Sequence, residues 1–233
     1  MSLAKSLFVR VRAPFAAFRW LQSGVYRSTS PVIPPSTAWG LLLGLAGIET
    51  RGSLAEATTP IRPDAPRLEL AVASVSEAST CVLYQQLHSY PVGPSGKDLK
   101  AKTHGAKYWI APARRELLVG FDCAIGVRGN QDVIDRIGPG LSGAFNDERY
   151  GLPFAGDNNL LIDRIDILDE TPTLRWYTPV DESERPRAGS CRLTVAIDRS
   201  DSSRTKTTLF APMERPGVPP ESAWVNVGPI AQS

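Results

Sequence analysis

Residues 26–47 read YRSTSPVIPPSTAWGLLLGLAG, a Ser-Thr pair and two adjacent prolines set before an apolar run that holds three glycines. The run WGLLLGLAGI is far shorter than the roughly 20 apolar residues of a membrane span, so it reads as a helix that packs rather than spans. Pro34 and Pro35 set the direction of the chain. Ser36 is a candidate N-cap, because its hydroxyl can accept from a backbone amide left free in the first turn. A helix over about residues 37–48 is expected, with Gly40, Gly44 and Gly47 on one side. Each glycine costs about 1 kcal/mol of helix propensity relative to alanine. Close approach to a sheet or to another backbone is the expected compensation.

Upstream, residues 7–11 (LFVRV) alternate with period two, which predicts a strand with Phe8 and Arg10 on one face and Val9 and Val11 on the other. Pro14 should end or bend it, leaving residues 15–35 as a basic and aromatic connection. No Asp or Glu precedes Glu49, whereas Lys5, Arg10, Arg12, Arg19 and Arg27 do. The first 48 residues therefore carry +5 against a whole-chain net charge of +2, leaving −3 for the remainder. Such asymmetry points to an anionic partner for the N-terminal part. The period-two pattern argues against an amphipathic transit peptide, and a secretory apolar core would sit nearer the start. A cytoplasmic location without membrane contact is the expectation.

With 233 residues, 42% hydrophobic and 21% charged, the chain suits one large soluble domain, alone or with a modest appendage. Its 19 glycines and 20 prolines argue against an all-helical fold. Cys81, Cys123 and Cys191 are odd in number and widely spaced, which fits no zinc pattern and no disulfide framework. Buried free thiols are expected. Two histidines make a His-rich metal site implausible, and no cofactor or metal is implied.

Further along, residues 68–75 and 80–90 predict extended runs. The segment PVGPSGKDLKAKTHGAKYWIAPARRE, residues 91–116, is of another kind. Lys97, Lys100, Lys102, Lys107, Arg114 and Arg115 stand there against Asp98, with Tyr108 and Trp109 interleaved. Flanking glycines and prolines suit a projecting hairpin. Lysine and arginine neutralise phosphates with release of counterions. Stacking of a free base on Tyr108 or Trp109 would add ~1–3 kcal/mol. Residues 117–127 predict a strand, 132–137 a short helix and 160–168 another strand. LRWYTPV, CRLTVAI, TTLFAP and AWVNVG then predict a small C-terminal β extension over residues 171–233, following a main domain over residues 1–170.

GPGLSG at residues 138–143 matches G-x-G-x-x-G, but the context lacks the strand before it and the helix after it that a dinucleotide site requires. The same glycines could still let the backbone approach a phosphate chain. No Walker A lysine follows. His104, with Lys102 and Tyr26, would supply a general base and clamp for RNA cleavage through a 2′-hydroxyl. A loop histidine near phosphate is the plainer reading, and His88 reads as structural. The element order makes the fold α+β, resembling a ferredoxin-like or RNA-recognition-motif (RRM) topology. The aromatic RNP motifs of the RRM are missing, so RNA would be held in another way.

VRAPFAAFRW, residues 11–20, followed by YRSTSPVIPPSTAWGLLLGLAGIETR, residues 26–51, resembles the N-terminal signature of the fifth CRISPR-associated (Cas) protein family, with a leaning to its DevS-type branch. RYGLPFAGDNNLLIDRIDIL, residues 149–168, is more weakly similar to the glycine-rich loop and final strand of that fold. The resemblance implies a modified RRM fold with a projecting thumb near residues 93–115. It also implies a role in type I Cascade surveillance complexes, gripping the 5′ handle of crRNA. Arg10, Arg12, Arg19, Arg27, Ser30 and Ser36 would then contact RNA from the N-terminal side. Lys97, Lys100, Lys102, His104, Lys107, Tyr108, Trp109, Arg114 and Arg115 would do so from the thumb. Implied partners are the backbone-filament subunit, the large subunit and, indirectly, target DNA in antiviral defence or RNA-guided targeting. The adjacent Lys-His pair associated with family members that cut precursor crRNA is missing here. A noncatalytic scaffold is therefore expected, with metal-independent endoribonuclease activity as the alternative.

Overall fold

The computed structural model describes residues 6–23, 25–53, 59–91, 108–145, 152–170, 172–181 and 183–230. Among the described residues, eleven strands join in one mixed sheet accompanied by two α-helices. At its centre β1 (Leu7–Ala16) lies between β7 (Arg164–Ile167) and β6 (Tyr108–Arg128), and β6 lies beside β4 (Leu68–Ser74), all antiparallel. Helix α1 (Pro35–Leu45) falls between β1 and β4 in the chain, and α2 (Gln131–Leu141) between β6 and β7. The architecture is the α+β class read from the sequence.

The alternation in β1 is realised. Val9 and Val11 are fully buried in the main core with Leu42, Leu43 and Leu45 of α1. Phe8 turns to a second, smaller cluster with Trp176, Trp224, Ala71 and Ala124. The sheet face away from α1 is thus already occupied by the protein's own aromatic rings. Gly126 makes room there, since a Cβ would sit 3.0 Å from both the Phe8 and Trp224 rings. Pro14 does not end the strand. The β1–β6 ladder skips Pro14 and resumes at Phe15 opposite Val119, with Gly120 taking φ +70°.

Several local expectations are corrected. The connection over residues 15–35 contains two strands, β2 (Arg19–Ser23) and β3 (Tyr26–Thr29). Pro34, not Ser36, is the N-cap of α1, with no side-chain cap bond. Proline fits here because the first helical amides lack intrahelical partners in any case. Gly40 and Gly44 are exposed, and an added Cβ at either would meet nothing within 4 Å. The close approach belongs instead to Gly140 in α2, where a Cβ would overlap the Leu45 carbonyl. Arg136 strengthens that junction by donating from Nε to the Ala46 carbonyl at 2.8 Å. Of the glycines in residues 138–143, Gly140 therefore serves helix–helix packing, while an added Cβ at Gly143 would meet nothing within 4 Å. Helix α2 is also longer than expected, capped by Asn130, whose side chain accepts from the Val133 amide. The final central strand is shorter, only four residues.

The strands expected after residue 173 are present as β8 (Leu174–Pro179), β9 (Cys191–Ala196), β10 (Lys206–Arg215) and β11 (Val225–Val227). They continue the sheet outward from β4 in the order β8, β10, β9, while β11 pairs with β4. Cys123 and Cys191 are buried, whereas Cys81 is exposed on β5 (Ser79–Pro91), contrary to the expectation of three buried thiols.

Candidate nucleic-acid interface

Strand β6 is long enough to serve two purposes. Its C-terminal half is a core strand, and its N-terminal half forms a hairpin with β5, paired from Ser79↔Val119 to Pro91↔Tyr108. Lys97, Lys100, Lys102, His104 and Lys107 lie outside the described residues. Tyr108 and Trp109 begin β6, and their side chains also lie outside what is described. The base of the hairpin is joined to the N-terminal segment by backbone pairing. Strands β3 and β6 run parallel in the register Tyr26↔Arg114 and Arg27↔Arg115, and the Arg114 amide donates to the Val25 carbonyl at 2.9 Å. Strand β2 adds on the outer side, with Arg19 opposite Thr29 and Gln22 opposite Arg27.

Arg19, Arg27 and Arg114 are thereby gathered onto three adjacent strands. All three are exposed, and none has an ion-pair partner among the described residues. The other arginines read from the sequence are committed elsewhere. Arg10 makes a fork with Asp122, Nη2 to Oδ2 at 2.6 Å and Nε to Oδ1 at 2.9 Å. Arg12 pairs with Asp166 at 2.8 Å. Arg115 is held by Asp157.

Asp157 organises one wall. Its Oδ1 accepts from the Asn159 backbone amide at 2.9 Å and from Asn159 Nδ2 at 3.0 Å, while Oδ2 takes Arg115. Burial pushes this carboxyl up, but those hydrogen bonds and the Arg115 charge hold it below its ordinary value. The loop carrying it is tied to the end of β1, since the Ala17 amide donates to the Ala155 carbonyl at 3.0 Å. Gly156 takes φ +83° and passes so near Ala17 that a Cβ would overlap its carbonyl. Glu116 organises the other wall, accepting from the Thr29 amide at 2.9 Å and the Tyr26 hydroxyl at 3.3 Å. Burial first, then the Glu116 charge and hydrogen bond, raise the Tyr26 phenol. That shift works against Tyr26 as a base. The sequence reading missed Asp157 and Glu116. Asp157 stood inside the glycine-rich stretch, while nothing in the local sequence set Glu116 apart.

Two serines differ from expectation. Ser30 is buried, and its hydroxyl donates to the Val32 carbonyl. Ser36 is buried with its Oγ unpartnered. Pro35 has no N–H, and the Thr37 and Ala38 amides both donate to the Pro34 carbonyl at 2.9 and 3.0 Å, so the mouth of α1 offers fewer amides than the sequence suggested. Among the described residues no group of three or more His, Cys, Asp or Glu could hold a metal, and no helix is long and apolar enough to cross a membrane.

The family model described as CRISPR-associated protein (Cas_Cas5) matches residues 6–141, more than half of the chain. The chain belongs to the Cas5 family. The match is at family level and does not reach the DevS-type branch. A solved chain described as "CRISPR RNA-guided surveillance complex" superposes with a TM-score of 0.58 at 13% identity, covering 94% of this chain and 96% of that one. A second, described as "Crystal structure of Cas protein", gives a TM-score of 0.49 at 11% identity, covering 91% and 95%. No curated protein is significantly similar in sequence. The match spans β1 through α2, so the Cas5 signature contains both β3 and β6, the strands that bring the free arginines together.

Proposed function

We propose that this Cas5-family chain is a noncatalytic subunit of a type I Cascade complex that binds the 5′ handle of crRNA and caps the guide-RNA filament. One observation carries the reading. The parallel β3–β6 pairing sets Arg27 beside Arg115 and Tyr26 beside Arg114, with Arg19 one strand further out. Two basic segments far apart in sequence thus meet at the foot of the hairpin, with Arg27 and Arg114 on opposite faces of the β3–β6 ladder. Lys97 through Lys107 would add further positive charge over the RNA. Unpaired guanidiniums on a strand surface suit the phosphates of a single strand, whose binding is dominated by charge neutralisation. The backbone-filament and large subunits are the proposed protein partners.

Gel-shift titration of 5′-handle RNA against a scrambled RNA of the same length tests the binding. A preference for the handle is expected, and equal affinity would overturn handle recognition. The noncatalytic role is tested by incubation with precursor crRNA in EDTA. Intact RNA is expected, whereas specific cleavage lost in His104→Ala would establish the endoribonuclease instead.

A further inference from the structure

We propose that the outer edge of β5 is a docking edge to which a protein partner adds an extended strand. The inference rests on the reading above that the chain works inside a multi-subunit assembly. Residues Arg114 and Arg115 of β6 pair with Tyr84 and Leu83 of β5 on one side and with Tyr26 and Arg27 of β3 on the other. Strand β5 therefore ends the sheet at the hairpin, and its far edge pairs with no described residue. Among the described residues, no strand takes up the backbone donors and acceptors of that edge.

Proteins blunt such edges with charge, proline, bulges or short length. Strand β5 uses none of these over most of its 13 residues. Its ladder to β6 runs without interruption from Ser79 to His88, and its single proline, Pro91, stands at the far end. No Asp, Glu, Lys or Arg occurs between Ala78 and Gly96. Three consecutive side chains, Val82, Leu83 and Tyr84, are 52%, 46% and 62% exposed, so both faces of the strand present apolar surface. An uncharged edge has nothing to neutralise a polyanion, while the free arginines lie on β6 and beyond its opposite edge. The chemistry that fits is an extended polypeptide, held by main-chain hydrogen bonds and alternate apolar side chains.

Hydrogen–deuterium exchange of the full chain reads this edge directly, measured alone, with handle RNA, and with the backbone-filament and large subunits. The amides on the free edge of β5 should exchange rapidly in the chain alone and slow by about 100-fold once the protein subunits are added. A variant carrying Val82→Thr, Leu83→Thr and Tyr84→Thr keeps strand-favouring residues. It should lose about ten-fold or more in affinity for those subunits while handle-RNA affinity stays within about two-fold. Loss of RNA binding in the unsubstituted chain would instead count against the proposed function and leave the edge measurement readable. Unchanged exchange on adding the subunits overturns the proposal. So does protection by RNA alone, or protection that grows with the chain's own concentration and marks a self-pairing edge.

Discussion

Replacing Arg27 and Arg114 together with glutamine tests whether the free arginines at the foot of the hairpin bind phosphate. Neither has an ion pair among the described residues, so both charges are available to RNA. Each phosphate neutralised on a single strand contributes about 0.7 to the slope of log K against log salt, so the pair should flatten that slope by about 1.4. Taking the two affinities to converge near 1 M salt, this corresponds to about 25-fold weaker binding at 0.1 M. The comparison variant is Arg10→Gln. Arg10 already spends its charge on Asp122 at 2.6 Å, so its loss should leave the slope in place and lower thermal stability, because Asp122 keeps a half-buried charge without its partner. The assay is a fluorescence-anisotropy titration of labelled handle RNA at four or more salt concentrations. An unchanged slope for Arg27→Gln/Arg114→Gln, or an equal flattening by Arg10→Gln, would refute the reasoning.

Two further expectations concern packing and thiol chemistry. Gly140→Ala places a methyl group on the Leu45 carbonyl, a backbone atom that cannot swing aside, and overpacking of this kind costs about 1–3 kcal/mol or more. Gly40→Ala adds a methyl where nothing lies within 4 Å and should gain up to about 1 kcal/mol from helix propensity. Calorimetry should move Tm in opposite directions for the two variants, and a shift of the same sign in both would contradict the assignment. Burial pushes the Cys191 thiol up to about 12 and raises Cys123 further, while Cys81 is exposed. At pH 8 a thiol reagent should label Cys81 in the native protein and reach the other two only after denaturant is added, which peptide mass spectrometry would check.

Much of the architecture was legible in the sequence, because burial leaves a period. Val9 and Val11 alternate with Phe8 and Arg10, and that alternation named both the strand and its core face. The proline pair before an apolar run located α1, and the short strands after residue 173 were marked by polar turns between apolar stretches. Composition alone showed that positive charge gathers in two separate segments. Local sequence could not assign the glycines, since a glycine that admits a neighbouring backbone and one that merely faces solvent look alike until the neighbour is placed. Gly140 meets Leu45, and Gly40 meets nothing.

Nor could the sequence decide which arginines remain free. Arg10 and Arg27 look alike along the chain, yet the first faces Asp122 across 112 positions and the second lies beside Arg115 across a parallel ladder. An ion pair depends on distance in space, and residues on different strands acquire that distance only when the strands pair. Residue order determined which elements form and which faces they bury. Strand pairing decided which charges are cancelled and which are left for a partner.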